Sequence, residues 1–260
     1  MGIVLILGIS MFFYIRTQLV EEKNELVPVV EKVPVQYQPV KTFIEGCINK
    51  VVLSGLERLG RQSGYINPLD YGIQSANIPT EGNAFNFFQS DPSTAIPYWW
   101  YFRSPNTCTT GCSCGSEKPN LFKNDGEPSI QGQLEQYIVE QLPACFDNFT
   151  VFEEQGFEFS LPGEIKSEVG IRDNDVQALI NYHLTVKKDE SETEMEQFYI
   201  TQPVKLKKIY ELAAGLTYAE QNWTYLERWT LEQINAFGFG VDGDMLPPTA
   251  DFSFEPFRPP

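Results

Sequence analysis

Three cysteines fall within seven residues in the stretch TCTTGCSCG: Cys108, Cys112 and Cys114. Thiolates that close together could hold a soft metal or exchange disulfides. A zinc site needs a fourth ligand, and the one histidine of the chain, His183, falls far away in a stretch that alternates like a strand. A local disulfide in a surface loop is therefore expected, with Cys108 and Cys114 taken as the pair. The spacing leaves the pairing open, and one thiol remains over for an intermolecular bond. The other two cysteines, Cys47 and Cys145, each fall on the apolar face of an expected amphipathic helix. If those helices pack together, a Cys47–Cys145 disulfide follows, worth about 4 kcal/mol in the chain-entropy model.

No other constellation stands out. His183 lies on the polar side of its strand, which suits a solvated imidazole better than a catalytic one. Asp242 and Asp244 lack the remaining ligands of a calcium loop and read as a turn. There is no GxSxG, no metal-ligand spacing and no phosphate loop. No catalytic, cofactor-binding or metal residue is assigned, no cofactor is expected, and an enzyme is not the expected reading. The aromatic run IPYWWYF at 96–102 places Trp99 and Trp100 where flat rings could stack on a glycan. Neighbouring strand residues point to opposite sides, so core packing is the preferred reading.

The charge balance excludes one class of partner. Thirty-five acidic residues face 19 basic ones, for a net charge of −16. Such a surface repels nucleic-acid phosphates and anionic lipid heads, and no basic stripe offsets it.

The elements that must position these residues begin with GIVLILGISMFFYI at 2–15, which carries no charge and no proline. Fourteen helical residues rise about 21 Å, short of a bilayer's roughly 30 Å. Extended to Val20, with Arg16 snorkelling, the segment nearly spans. Ile3, Leu5, Leu7, Phe12 and Phe13 typify its apolar character and are the anchor or assembly residues. A cleaved signal peptide would need a basic leader and a small-residue cleavage site, and neither is present here; a buried core helix is the other alternative. Anchor helix 1–27 is followed by a proline-spaced stalk at 28–40, an α+β body at 41–240 and a proline-rich tail at 241–260. The tail reads as an arm on a neighbour or a linker to sequence beyond it.

Within the body, apolar residues recur at helical spacing over 40–59, over 129–146 with Ser129 as cap, and over 203–237. The last helix is expected to break near Gly215–Thr217, and Pro143 to kink or end the second. Between them the period becomes two: Val176, Ala178, Ile180, Tyr182, Leu184 and Val186 alternate with mostly polar neighbours. The fold class is therefore α+β, with amphipathic helices packed on an antiparallel β-meander that keeps one wet face. Asn148 and Asn222 open Asn-x-Thr tripeptides and are candidate glycosylation sites.

The abrupt apolar start resembles a mature type IV pilin whose leader has been removed, over residues 1–27 only. Leu5 stands where many such pilins carry glutamate, and Pro28, Pro34 and Pro39 interrupt their long first helix. More broadly, the apolar anchor, the stalk and the helices CINKVVLSGLERLGRQSGYI, PSIQGQLEQYIVEQLPACFDNF and KLKKIYELA resemble uncharacterised membrane-anchored surface proteins of small-genome archaea. That group repeats the two cysteines matching Cys47 and Cys145, while Cys108 to Cys114 depart from it.

The resemblance implies location and architecture, not activity. The expectation is a structural, pilin-like cell-surface subunit anchored or self-associated through residues 1–20 as a homo-oligomer or filament. The alternative is a tethered adhesin or receptor that contacts a glycan or surface partner through residues 84–102.

Overall fold

The computed structural model describes residue 26 and residues 32–86, 94–124, 127–146, 149–160 and 163–238. Ile3, Leu5, Leu7, Phe12 and Phe13, the tail at 241–260 and Asn148 lie outside the described residues. Among the described residues no helix is long and apolar enough to cross a membrane. The fold is α+β with antiparallel sheets. Its helices are α1 (Gln38–Arg61), α2 (Ile130–Phe146), the short α3 (Thr150–Glu153), α4 (Leu206–Trp223) and α5 (Tyr225–Gly238). Four two-residue strands come first: β1 (Ala84–Phe85), β2 (Ile96–Pro97), β3 (Tyr101–Phe102) and β4 (Cys114–Gly115). The longer ones are β5 (Phe157–Ser160), β6 (Lys166–Ile171), β7 (Val176–Lys188) and β8 (Ser191–Gln202). The chain divides into two compact units: Met1–Gly72 with Pro119–Lys208, and Ile73–Lys118 with Ile209–Pro260.

In the first unit, β7 is the central strand. Along one edge it pairs antiparallel with β8; along the other, β6 covers residues 176–181 and β5 covers 185–188. Between Asn181 and Leu184 the β7–β8 register shifts by one residue, a β-bulge. The shift explains why Met195 and Phe198, three apart on β8, are both buried. Helices α1 and α2 pack on this sheet and on each other. The stripe Val40, Ile44, Cys47, Ile48, Val51, Val52, Leu56 and Leu59 is the buried face of α1. At Gly55 the helices touch: a Cβ there would lie 2.6 Å from Leu134 Cδ1 and 3.0 Å from Tyr137 Cδ1. Gln133 of α2 is buried and fully used. Its Oε1 accepts from Ile66 N–H at 3.0 Å, and its Nε2 donates to Gly64 O at 3.1 Å, which ties down the turn after α1.

Several boundaries differ from the sequence expectation. The last part of the proposed stalk is helical: a 3₁₀ turn over Val35–Tyr37 runs into α1, with Pro39 in the first turn, where a missing N–H leaves no bond broken. Tyr37 and Val40 belong to the core. The Tyr37 ring meets Phe157 edge-on at 6.1 Å, and its hydroxyl lies 2.9 Å from Ser191 Oγ. Ser129 caps α2 through Oγ, which accepts from Gly132 N–H at 3.1 Å. Pro143 does not end that helix, which continues to Phe146. The expected wet face of the sheet is covered at one end, where Gln177 and Leu179 are buried and Leu26 N–H donates to Gln177 Oε1 at 3.1 Å.

The final helix breaks at Thr224, which has φ +48°, and not near Gly215–Thr217. Gly215 is accommodated inside α4, at a cost of about 1 kcal/mol relative to alanine. The helix does not pack its stripe as expected, since α4 has no buried residue. Within the first unit, Lys207 pairs with Asp173 at 2.6 Å and Lys208 Nζ donates to Asn174 Oδ1 at 3.0 Å.

The second unit is loop-rich around small strand pairs. β1 pairs with β2, and β3 with β4, both antiparallel. Gly115 sits opposite Tyr101, whose ring atoms would stand 2.7 to 2.9 Å from any Cβ at that position. Only glycine lets that ring lie across the partner strand.

Candidate functional site

The bulge lies at the point of β7 where, along its other edge, β6 gives way to β5. Lys166 of β6 pairs with Asn181 and Ser160 of β5 with Thr185, which leaves Tyr182, His183 and Leu184 without a ladder partner strand on that side. The connection to β6 passes beside them, with Gly163 positioned so that a Cβ would lie 3.3 Å from His183 Cβ. Two open clefts flank this point. One, of about 600 Å³, is lined by Val139, Pro143, Phe146, Ile165 and Tyr182. Pro143 removes the N–H that would bond Val139 O, and Phe146 stacks on Tyr182 at 5.3 Å. The other, of about 410 Å³, is lined by Lys166, Asn181, His183, Glu196 and Gln197.

The polar cleft holds a histidine beside a carboxylate. His183 Nδ1 lies 3.6 Å from Glu196 Oε1, outside hydrogen-bond reach, and both side chains are well exposed. Gln197 Nε2 donates to Asn181 Oδ1 at 2.9 Å. No serine, threonine or cysteine lines either cleft. Water competes for every contact in so open a site. Among the described residues no three His, Cys, Asp or Glu side chains gather as a metal would require.

The cysteine loop belongs to the second unit. Cys108 is bonded to Cys112 in the turn between β3 and β4, and Cys114 is the exposed free thiol. The assignment of Cys108 to Cys114 is thereby corrected. Cys114 is held in a strand opposite Phe102, whereas Cys112 lies in the turn, where Cys108 can reach it. In the first unit Cys47 and Cys145 form a bond between α1 and α2, with a Cα–Cα distance of 6.0 Å.

The aromatic run is partly buried. Tyr98, Trp99, Trp100, Tyr101 and Phe102 are all half-buried. Trp99 leans on Tyr210 of α4 at 5.4 Å, and Trp100 on Phe102 at 5.9 Å. Lys118 Nζ lies 5.9 Å from the centre of the Tyr210 ring, within cation–π range. The Tyr101 hydroxyl donates to Glu117 Oε1 at 2.8 Å, and burial, then Glu117, holds its pKa above the usual phenol value. Asn222 is exposed near the end of α4, where its Nδ2 donates to Tyr218 O at 2.8 Å.

One surface was misread from sequence. The stripe of the last helix was expected to pack on the sheet, yet its Ile209, Leu216 and Trp223 are exposed. No family model, curated protein or solved structure matches this chain.

Proposed function

We propose that the chain is a structural subunit of the cell surface, pilin-like at its N terminus and anchored or assembled through residues 1–20. Its body would lie outside the cytoplasm. The observation that carries the reading is the Cys47–Cys145 bond, which ties two core helices of the first unit across 98 residues. Cys108–Cys112 adds a second bond. Disulfides of this structural kind form and persist in oxidising compartments. The uncharged stretch at 2–15 supplies the means of export and tethering. The resemblance to membrane-anchored archaeal surface proteins is in keeping with this role. The work of the molecule is then contact and not turnover. The test is fractionation of native material. The intact chain should sediment with membranes or filaments, and a variant lacking residues 1–20 should not; an intact chain that stays dispersed without detergent would overturn the proposal.

A second reading is supported by the half-buried aromatic run. A tethered adhesin would use Trp99 and Trp100 as stacking platforms for a glycan or surface partner. Trp99→Ala with Trp100→Ala should then abolish binding on a glycan array while the melting temperature moves little. An equal loss of stability would assign both rings to packing.

A further inference from the structure

Cys108, Cys112 and Cys114 hold one disulfide between them, and the third is left as a thiol beside it. All three sit on the β3–β4 hairpin of the second unit. Arg103 N–H donates to Ser113 O at 2.9 Å, so the ladder that pairs Phe102 with Cys114 runs one step beyond β4. Cys112 precedes Cys114 by two residues, and side chains two apart along a strand share a side, about 7 Å from one another. The turn that carries the bond is lightly held. Residues 105–107 and 109–111 are exposed, and Gly111 has φ +67° with open space around it. What ties the turn down lies at or before Cys108: its N–H donates to Pro105 O at 2.9 Å, and Asn106 Nδ2 donates to Thr80 Oγ1 at 2.8 Å. β4 is two residues long and Cys114 is the first of them, so releasing Cys114 frays a strand end and opens no core.

From this cluster we infer that the hairpin is a thiol–disulfide exchange site, in which the bond migrates between Cys108–Cys112 and Cys108–Cys114. The Cys114 thiolate attacks Cys108 Sγ. The Cys108–Cys114 bond forms as the Cys108–Cys112 bond breaks, and Cys112 leaves as a thiolate that takes from water the proton Cys114 gave up. One disulfide and one thiol are present before and after, so nothing is oxidised or reduced overall and no co-reactant is required. Three features favour exchange over a fixed bond with a bystander thiol. First, the attacking thiol is exposed, and the two bonded cysteines are only half-buried, so the sulfurs can meet in water. Second, the bond joins residues four apart, against 98 for Cys47–Cys145, so it constrains the unfolded chain far less and little stability resists its opening. Third, the alternative ring has an ordinary size. Cys108 to Cys114 is two residues longer and spans the same turn, whereas a Cys112–Cys114 bond would close around a single residue. Cys108 is therefore the sulfur attacked, and Cys112 the one released.

The site is independent of residues 1–20, and its failure would leave the proposed anchoring untouched. The test uses the full chain, never reduced, in detergent, with iodoacetamide as the probe and peptide mapping by mass spectrometry after an acid quench. Iodoacetamide in large excess at mildly alkaline pH should trap the thiol at Cys114, where the structure has it. As the reagent is diluted, migration outruns capture, and a growing share of the label, at least about a tenth, should appear on Cys112. Only molecules whose Cys47–Cys145 bond is intact are counted, which leaves out scrambling in unfolded chain. Label on Cys114 alone at every dilution overturns the inference, and so does label that reaches Cys108 and never Cys112. Cys112→Ser gives an independent check in a buffer of oxidised glutathione. Cys108 and Cys114 should then be joined to each other, with the ellipticity of the parent. Glutathione on both, or two free thiols, would mean that Cys114 does not reach Cys108, and the inference falls.

Discussion

Replacing Cys47 and Cys145 together by alanine removes the cross-link between α1 and α2 and frees a loop of 98 residues in the unfolded chain. Loop-closure entropy for that length corresponds to about 4–5 kcal/mol at room temperature. Cys47 is 5% exposed, so loss of its sulfur adds about 1 kcal/mol of vacated packing. For a unit of this size each kcal/mol moves the melting point by about 2–4 °C, which gives a fall of roughly 10–20 °C. Scanning calorimetry on the full chain reads the shift directly. A urea series supplies an independent sign: the variant should show the steeper dependence, because an unfolded state without its cross-link exposes more surface. A shift under about 3 °C, with the parent bond verified by mass spectrometry, would refute the view that this bond braces the core. An unchanged urea slope would refute the loop-entropy argument in particular.

Gln133→Leu should cost about 2–4 kcal/mol in urea unfolding, because it orphans both Ile66 N–H and Gly64 O inside the turn they share. Gly55→Ala should destabilise by about 1–2 kcal/mol despite the better helix propensity of alanine, since the new Cβ meets Leu134 and Tyr137. Combined with Leu134→Ala it should show a coupling of at least about 1 kcal/mol in a double-mutant cycle. Burial and then the neighbouring Glu227 raise the Glu220 pKa above the usual carboxylate value. A raised carboxyl pKa means that the folded state binds the proton more tightly, so its stabilisation is fully present below the ordinary pKa and is lost as pH rises through the raised one. Ellipticity at the α4–α5 junction should therefore strengthen on acidification, and Glu220→Gln should remove that dependence.

The parts of the fold legible in the sequence are those with a clean period. Val40 through Leu59 recur at helical spacing because α1 buries one face against a sheet and a helix at once. Residues 176–186 alternate because the even positions of β7 face the core, over which α1 packs on the neighbouring β8 and α2 on β6. What was not legible depends on contacts distant in sequence. Tyr37 read as stalk because Pro34 and Pro39 flank it, and only its neighbours Phe157 and Ser191 show why it is core. The bulge at 182–183 leaves no mark in β7, whose even positions stay buried; it shows in β8, where Met195 and Phe198 break the alternation. Cys112 could not be told from Cys114 as the partner of Cys108, because the choice is made by the two-residue pairing of β3 with β4. The stripe of α4 was read correctly as helical, but its exposure was not legible, since periodicity reports that a face is apolar and not what covers it.

The central claim, a disulfide-braced body displayed outside the cytoplasm, is tested most directly by labelling intact cells with a membrane-impermeant maleimide polymer. Cys114 is the exposed thiol, while Cys47, Cys108, Cys112 and Cys145 are bonded. The account predicts a single mass step on whole cells, complete without lysis, and four further steps only after denaturation and reduction. Labelling that requires lysis, or that reaches several cysteines before reduction, would contradict it.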